Sequence, residues 1–218
     1  MKAHLVQSSV PVTLVAGGPV GRRDLALALR RAPCLVAADG GADRALAAGR
    51  VPDAVIGDLD SISAEARDRL GDRLHRVAEQ DSTDFDKALR NIDAPFILAL
   101  GVAGARIDHG LAVMNALVRH DGPPCFLIGP EDVVFHATSV RLRMKPGDRL
   151  SLFPMARVTG RSDGLRWPVD GLDFAPDGRV GTSNEVSDRD VGLDFDGPGM
   201  LVMLPRARLD AAISSSAR

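Results

Sequence analysis

The chain has no tyrosine, a single tryptophan, two cysteines, and only three lysines among its 27 cationic residues. Each scarcity excludes something. Cys34 and Cys125 cannot build a disulfide framework, and both lie in apolar runs that read as buried thiols. No apolar stretch approaches the roughly 18 residues of a membrane span. The N-terminal stretch from Val10 to Ala16 is short and contains Pro11 and Thr13, so no secretory signal is expected there. The 27 basic and 29 acidic residues nearly cancel, leaving a formal charge of −2, which argues against a nucleic-acid partner. The shortage of lysine and tyrosine reads as genomic base composition. What remains is 218 residues, 45% hydrophobic and 26% charged, ordinary for a globule. The expectation is a cytoplasmic protein with no membrane partner.

Short apolar runs alternate with helical patterns through the first 130 residues. Strands are predicted over 12–16, 34–38, 54–56, 73–77, 96–100 and 126–128, with helices over 24–31, 42–48, 63–70, 83–91 and 108–120. Strands this short and apolar, set between helices, imply a parallel sheet covered on both faces, a three-layer α/β arrangement. Beyond Pro130 the rhythm changes. Residues 140–144 alternate apolar and basic, the mark of a half-buried strand. Further strands are predicted over 150–154, 180–183, 191–195 and 200–204, separated by Gly and Pro turns. No long helix is expected there, and residues 214–218 read as frayed. The chain therefore divides into an α/β half and a small all-β half.

Ligands on open parallel sheets bind beyond the carboxyl ends of the strands. Here those ends carry acids, glycines and an arginine. Residues 35–38 run into Asp39-Gly40-Gly41, and 54–56 into Gly57-Asp58-Leu59-Asp60-Ser61. If the strand continues, Asp58 and Asp60 share one face, because strand side chains repeat every two residues. Two carboxylates about 4 Å apart repel by roughly 4 kcal/mol at an effective dielectric of 20, so a proton or a cation must intervene. Mg²⁺ suits such an oxygen-only site; the plain alternative is a solvated turn. Gly40 and Gly41 open a helix where backbone N–H groups attract anions, or simply form a tight turn. A third group, Gln80-Asp81-Ser82-Thr83-Asp84-Phe85-Asp86-Lys87, offers Thr83 as a helix cap and Asp84 as a carboxylate within reach of an ion. The fourth, Gly104-Ala105-Arg106-Ile107-Asp108-His109, supplies an arginine able to clamp phosphate. Asp108 reads equally as a cap, and His109 as an ordinary, partly buried histidine. No G-x-x-x-x-G-K-[ST] is present, and Gly17-Gly18-Pro19-Val20-Gly21 lacks the G-x-G-x-x-G spacing.

In these four segments, and in Gly164-Leu165-Arg166-Trp167 and Gly181-Thr182-Ser183-Asn184-Glu185, the sequence resembles the thiamine pyrophosphokinase family over roughly residues 12–204. The resemblance implies a Rossmann-like α/β domain over 1–132 that binds Mg²⁺ and ATP. It also implies a β-sandwich over 133–218 that contributes to a thiamine site and to a homodimer interface, with active sites between subunits. The implied reaction moves the pyrophosphoryl group of ATP to the thiamine hydroxyl and releases AMP. Carried over by position, Asp39, Asp58, Asp60 and Asp84 match metal and phosphate carboxylates, the metal itself falling to Asp58, Asp60 and Asp84. Gly40, Gly41, Gln80, Thr83, Lys87 and Arg106 match ATP-binding positions; Arg106 and Asp108 also fall in the catalytic set. Trp167, Ser183 and Asn184 match the thiamine segment. Val102 and Ala105 stand where the family usually has glycine. Two rivals remain. Asp58-Leu59-Asp60 imitates the signature of haloacid-dehalogenase-type phosphohydrolases, and a non-catalytic nucleotide-sensing module would also carry a nucleotide cleft.

Overall fold

The structure, a computed structural model, describes residues 4–102 and 106–216. The chain divides into two compact units, Met1–Ile128 and Gly129–Arg218. The first unit contains, in chain order, β1 (Val6–Gln7), β2 (Val12–Val15), α1 (Arg22–Leu29), β3 (Cys34–Ala38), α2 (Gly41–Ala47), β4 (Ala54–Gly57) and α3 (Ala64–Leu70). It continues with β5 (Leu74–Arg76), α4 (Asp84–Leu89), β6 (Ile92–Asp93), β7 (Ile97–Leu100), α5 (Ile107–Arg119) and β8 (Cys125–Ile128). Six strands pair in parallel in the order β8-β7-β2-β3-β4-β5. Every residue of β2, β4, β7 and β8 is buried, as a parallel sheet covered by crossover helices requires.

The strand order reverses at β2, which has β3 on one side and β7 on the other. In open parallel sheets such a reversal opens a crevice beyond the carboxyl ends of the two diverging strands. The backbone closes the floor of that crevice. Ala16 N–H donates to Leu100 O (2.8 Å) and Gly18 N–H to Gly101 O (2.9 Å). Gly101 has φ +69°, and a Cβ there would lie 2.6 Å from Ala16 O, so only glycine fits. Gly41 is equally constrained: a Cβ would stand 2.0 Å from Val15 O, so the start of α2 rests directly on the β2 backbone.

The second unit holds β9 (Asp132–His136), β10 (Ser139–Arg143), β11 (Arg149–Pro154), β12 (Val158–Asp163), β13 (Asp173–Phe174), β14 (Gly181–Glu185), β15 (Asp190–Phe195), β16 (Met200–Pro205) and α6 (Leu209–Ser215). All its ladders are antiparallel. One group runs β14-β11-β16-β9 and the other β10-β15-β12-β13.

Several expectations need correction. The second unit is not purely β. Of the segment expected to fray, Ser214 and Ser215 end α6 and residues 217–218 lie outside the described residues; Leu209 and Ala212 are buried, and the Ser215 and Ser216 hydroxyls return to the carbonyls of Ala212 and Ile213. Strand β9 begins at Asp132, ahead of the break expected after that residue. Strand β12, with the sequence Val-Thr-Gly-Arg-Ser-Asp, has no apolar pattern to reveal it and is set by its pairing with β15. Cys34 is only half-buried, whereas Cys125 is buried and its thiol pKa is pushed far up.

Candidate active site

A cleft of about 1070 Å³ lies beyond the carboxyl ends of β2, β3, β4 and β7, and the loops after all four strands line it. Its acids are held from different elements. Asp39, directly after β3, has a left-handed backbone (φ +43°) and is only 2% exposed. Its Oδ2 accepts a hydrogen bond from Ser61 N–H (3.2 Å), while Oδ1 is buried with no hydrogen-bond partner among the described residues. Burial pushes the Asp39 carboxyl above its ordinary pKa, and the nearby Asp84 charge pushes it further. Gly57, the last residue of β4, has no room for a side chain, since a Cβ would meet Asp39 Cβ at 2.8 Å and Asp84 Oδ1 at 3.2 Å.

Asp58 and Asp60 do converge, but not by strand alternation. Strand β4 ends at Gly57, and Leu59 between the two acids adopts φ +69°. That conformation is costly for a leucine. It is held because the Leu59 side chain is buried in a cluster with Ala37, Ala42, Val55, Ile62, Ala66 and Leu70. A hydrophobic anchor thus turns the backbone so that one oxygen from each of Asp39, Asp58 and Asp60 lies within 4.8 Å of the others. Three close carboxylates, one with a buried oxygen lacking a donor, fit a hard divalent cation such as Mg²⁺.

Asp84 stands beside this trio. Thr83 caps α4 through its Oγ1, which accepts from Asp86 N–H (3.3 Å), and Asp84 follows as the first helical residue. Lys87, one turn later, is 1% exposed. Its Nζ donates to Asp58 Oδ2 (2.9 Å) and to Asp84 Oδ1 (3.0 Å). Burial alone would lower the ammonium pKa, but the hydrogen bonds to Asp58 and Asp84 outweigh it and hold it above the usual value. Reciprocally, the Lys87 hydrogen bond holds Asp58 below the usual carboxylate range. Gln80 Nε2 donates to the same Asp58 oxygen (3.3 Å). The sequence-predicted residues Asp39, Gly40, Asp58, Asp60, Gln80, Thr83, Asp84, Lys87 and Arg106 all line one cleft. Gly41 is not among them; it is buried where α2 rests on β2.

Arg106 and Asp108, at the start of α5, are exposed and pair with each other (Nη2–Oδ2 2.6 Å). The N-cap position of α5 is Arg106, not Asp108. His109, expected to be partly buried, is exposed and lines the cleft. Val102 is buried, while Gly104 and Ala105 of the same motif lie outside the described residues. Two cleft residues escaped the sequence reading. Asp43 accepts from Ser63 N–H (3.1 Å) and Oγ (2.5 Å), and Arg44 Nε donates to Gly17 O (3.0 Å). Their signal was the short spacing from Gly40-Gly41, which carries side chains at the start of α2 toward the same strand ends.

In the second unit, Trp167, Ser183 and Asn184 gather around β14. Asn184 is buried, and its amide is consumed locally: Oδ1 accepts from Trp167 N–H (3.2 Å) and Nδ2 donates to Trp167 O (2.7 Å). Asn184 thus fixes the Trp167 backbone, leaving the indole 52% exposed with the Arg166 guanidinium 4.9 Å from the ring centroid. Ser183 has φ +61°, and its N–H donates to Ser151 Oγ (3.0 Å).

Among the described residues, no helix is long and apolar enough to cross a membrane. Comparison with known proteins gives a concordant result for both units. Residues 25–127 match the family model for the catalytic domain of thiamin pyrophosphokinase, and residues 136–199 match that for its vitamin B1 binding domain. Thiamine pyrophosphokinase 1 of Oryza sativa subsp. japonica is 29% identical over 166 residues, covering 66% of this chain and 63% of that protein. Thiamine pyrophosphokinase 3 of the same species is 28% identical over 192 residues, 72% of each chain. The chain thus spans somewhat less than two thirds of the first of these relatives. The thiamin pyrophosphokinase of Candida albicans shares the fold with a TM-score of 0.73 at 19% identity, over 92% of this chain and 91% of that one. Two domain matches in the expected order, which together span most of the chain and include the carboxylate cleft, establish that it belongs to the thiamin pyrophosphokinase family.

Proposed function

We propose that the protein transfers the pyrophosphoryl group of ATP to the hydroxyl of thiamine, giving thiamine diphosphate and AMP. The thiamine oxygen bonds to the β-phosphorus of ATP. The bond from that phosphorus to the oxygen bridging to the α-phosphate breaks, and the hydroxyl proton leaves to a base or to solvent. Displacement at phosphorus depends on positioning and charge neutralisation more than on covalent help. The observation that carries the reading is the cluster of Asp39, Asp58 and Asp60 oxygens, one of them buried and undonated, in a cleft at the sheet reversal.

Those three residues, with Asp84 beside them, would hold Mg²⁺, which when bound neutralises phosphate charge. Lys87 holds the Asp58 and Asp84 carboxylates in place and keeps that of Asp58 ionised, and Gln80 fixes the orientation of Asp58. Arg106, exposed at the cleft margin, can exchange Asp108 for a phosphate oxygen at little expense, because exposed ion pairs are weak. We assign nucleotide binding to the first unit and thiamine binding to the second, through the exposed Trp167 indole, whose face attracts a cationic aromatic ring. A cytoplasmic homodimer with active sites between subunits completes the proposal.

Incubation with Mg²⁺, ATP and thiamine, followed by chromatography, should yield AMP and thiamine diphosphate in equal amounts. Formation of ADP and thiamine monophosphate would refute pyrophosphoryl transfer, and phosphate release without thiamine would favour the phosphohydrolase. Tight Mg²⁺-ATP binding without turnover would favour a sensing module. Sedimentation of a monomer under turnover conditions would remove the dimer.

A further inference from the structure

The cleft that the proposed function assigns to ATP is lined by Asp39, Asp43, Asp58, Asp60 and Asp84, against three lysine or arginine side chains among the described residues. Lys87 is committed to Asp58 and Asp84, and Arg106 to Asp108. Arg44 has no carboxylate within ion-pair distance among the described residues. Its neighbour Asp43 is occupied by Ser63. From this charge inventory we propose that Arg44 is a binding residue for the polyphosphate of the nucleotide, an inference that rests on the reading of this cleft as the ATP site.

The geometry suits that role. Arg44 lies on α2, is exposed, and among the described residues is tethered at one point only, Nε to Gly17 O at 3.0 Å. Among those residues both terminal nitrogens of the guanidinium fork are left free, the arrangement that binds two phosphate oxygens at once. Gly17 belongs to the loop after β2, so the fork is anchored at the sheet reversal. A purely structural role would be to staple that loop. The loop, however, is already held by the hydrogen bonds Ala16 N–H to Leu100 O and Gly18 N–H to Gly101 O. The Arg44 charge is superfluous for stapling and useful for an anion.

Arg44→Gln keeps an amide able to reach Gly17 O but removes the charge, Arg44→Met removes both, and Arg50→Gln removes an exposed charge outside the cleft. Calorimetry with Mg²⁺-ATP, with Mg²⁺-pyrophosphate and with adenosine reads binding without turnover. Both Arg44 variants should bind ATP and pyrophosphate about ten- to hundredfold more weakly, as expected for losing a charge-assisted hydrogen bond. Adenosine affinity, the thiamine KM and the melting temperature should stay within twofold or one degree of the wild type, and Arg50→Gln should match the wild type throughout. ATP affinity retained by Arg44→Gln would make the residue a staple and overturn the proposal. So would an equal loss for adenosine, an equal loss in Arg50→Gln, or a wild type that binds neither polyphosphate. A wild type that binds both but forms no thiamine diphosphate would sink the proposed reaction alone, and the binding series would still decide the role of Arg44.

Discussion

Asp39→Asn should make the metal-free protein more stable while abolishing activity. Three features of Asp39 point the same way. Its carboxylate is 2% exposed, one oxygen lacks a donor, and its backbone is left-handed at φ +43°, a conformation that asparagine tolerates better than most residues. At an effective dielectric of 20, a unit charge within 4.8 Å repels by about 3.5 kcal/mol or more. The net repulsion is smaller, because the Lys87 ammonium offsets the charges on Asp58 and Asp84. A buried acceptor without a donor costs about 1–3 kcal/mol. An asparagine amide removes the charge and turns two N–H donors toward neighbouring carboxylates, so a gain of about 2 kcal/mol is expected from the surviving repulsion and the orphaned oxygen together. For a chain of this size that gain raises Tm by about 4–8 °C. The assay is scanning calorimetry in chelator and again in millimolar Mg²⁺. The wild type should gain stability from Mg²⁺, and the variant should start higher and gain little. A variant that melts at or below the wild type in chelator, or that keeps the full Mg²⁺ response, would refute the account of Asp39 as a strained cation ligand.

Trp167→Ala should weaken thiamine binding about three- to thirtyfold, the span of one cation–π contact, and leave ATP binding alone; calorimetry with each ligand separates the two. Gly41→Ala forces a Cβ to 2.0 Å from Val15 O and should destabilise the chain by about 1–3 kcal/mol or more, read from the urea midpoint. A loss below 0.5 kcal/mol would contradict the close packing of α2 on β2. His136 is held neutral: burial lowers its pKa, and its Nε2 accepts from Gly199 N–H (3.0 Å). With the folded pKa below the unfolded value near 6.5, the unfolded chain binds the proton first. The stability from this residue is therefore complete above about pH 6.5 and is lost as pH falls toward the folded pKa. His136→Gln, which can still accept from Gly199, should flatten that part of the acid dependence by roughly 1 kcal/mol, measured as Tm at pH 7.5 and 5.0. An unchanged slope would dismiss His136 as the titrating group.

The central features of the first unit were legible because parallel strands write themselves as short apolar runs. Residues 35–38, 54–57 and 97–100 are buried along their length, and Asp39 and Asp58 follow immediately after the first two. The convergence of Asp39, Asp58 and Asp60 was legible as composition at strand ends, but its mechanism was not. Strand alternation would have paired Asp58 with Asp60, whereas the chain uses a left-handed leucine, and nothing in a Gly-Asp-Leu-Asp-Ser string announces a positive φ. Arg44 was illegible because an arginine near the start of a short helix looks like any solvated charge until the carboxylates around it are seen to be taken. In the second unit, β12 and the two-residue β13 owe their existence to partners rather than to their own sequence, so local pattern could not find them.

The buried side chain of Leu59 has a consequence for the conditions under which the cleft keeps its shape. Tethers made of exposed charge, such as the Arg106–Asp108 pair at the cleft margin, weaken as dissolved ions accumulate. An aliphatic plug does not, and salting-out ions tighten it. A glycine would relieve the backbone at position 59, but it would leave a leucine-sized void costing about 2–5 kcal/mol, more than the roughly 1–2 kcal/mol of backbone relief. The turn that aims the acids is therefore locked by oil, and it should outlast brine that loosens the ionic contacts around it.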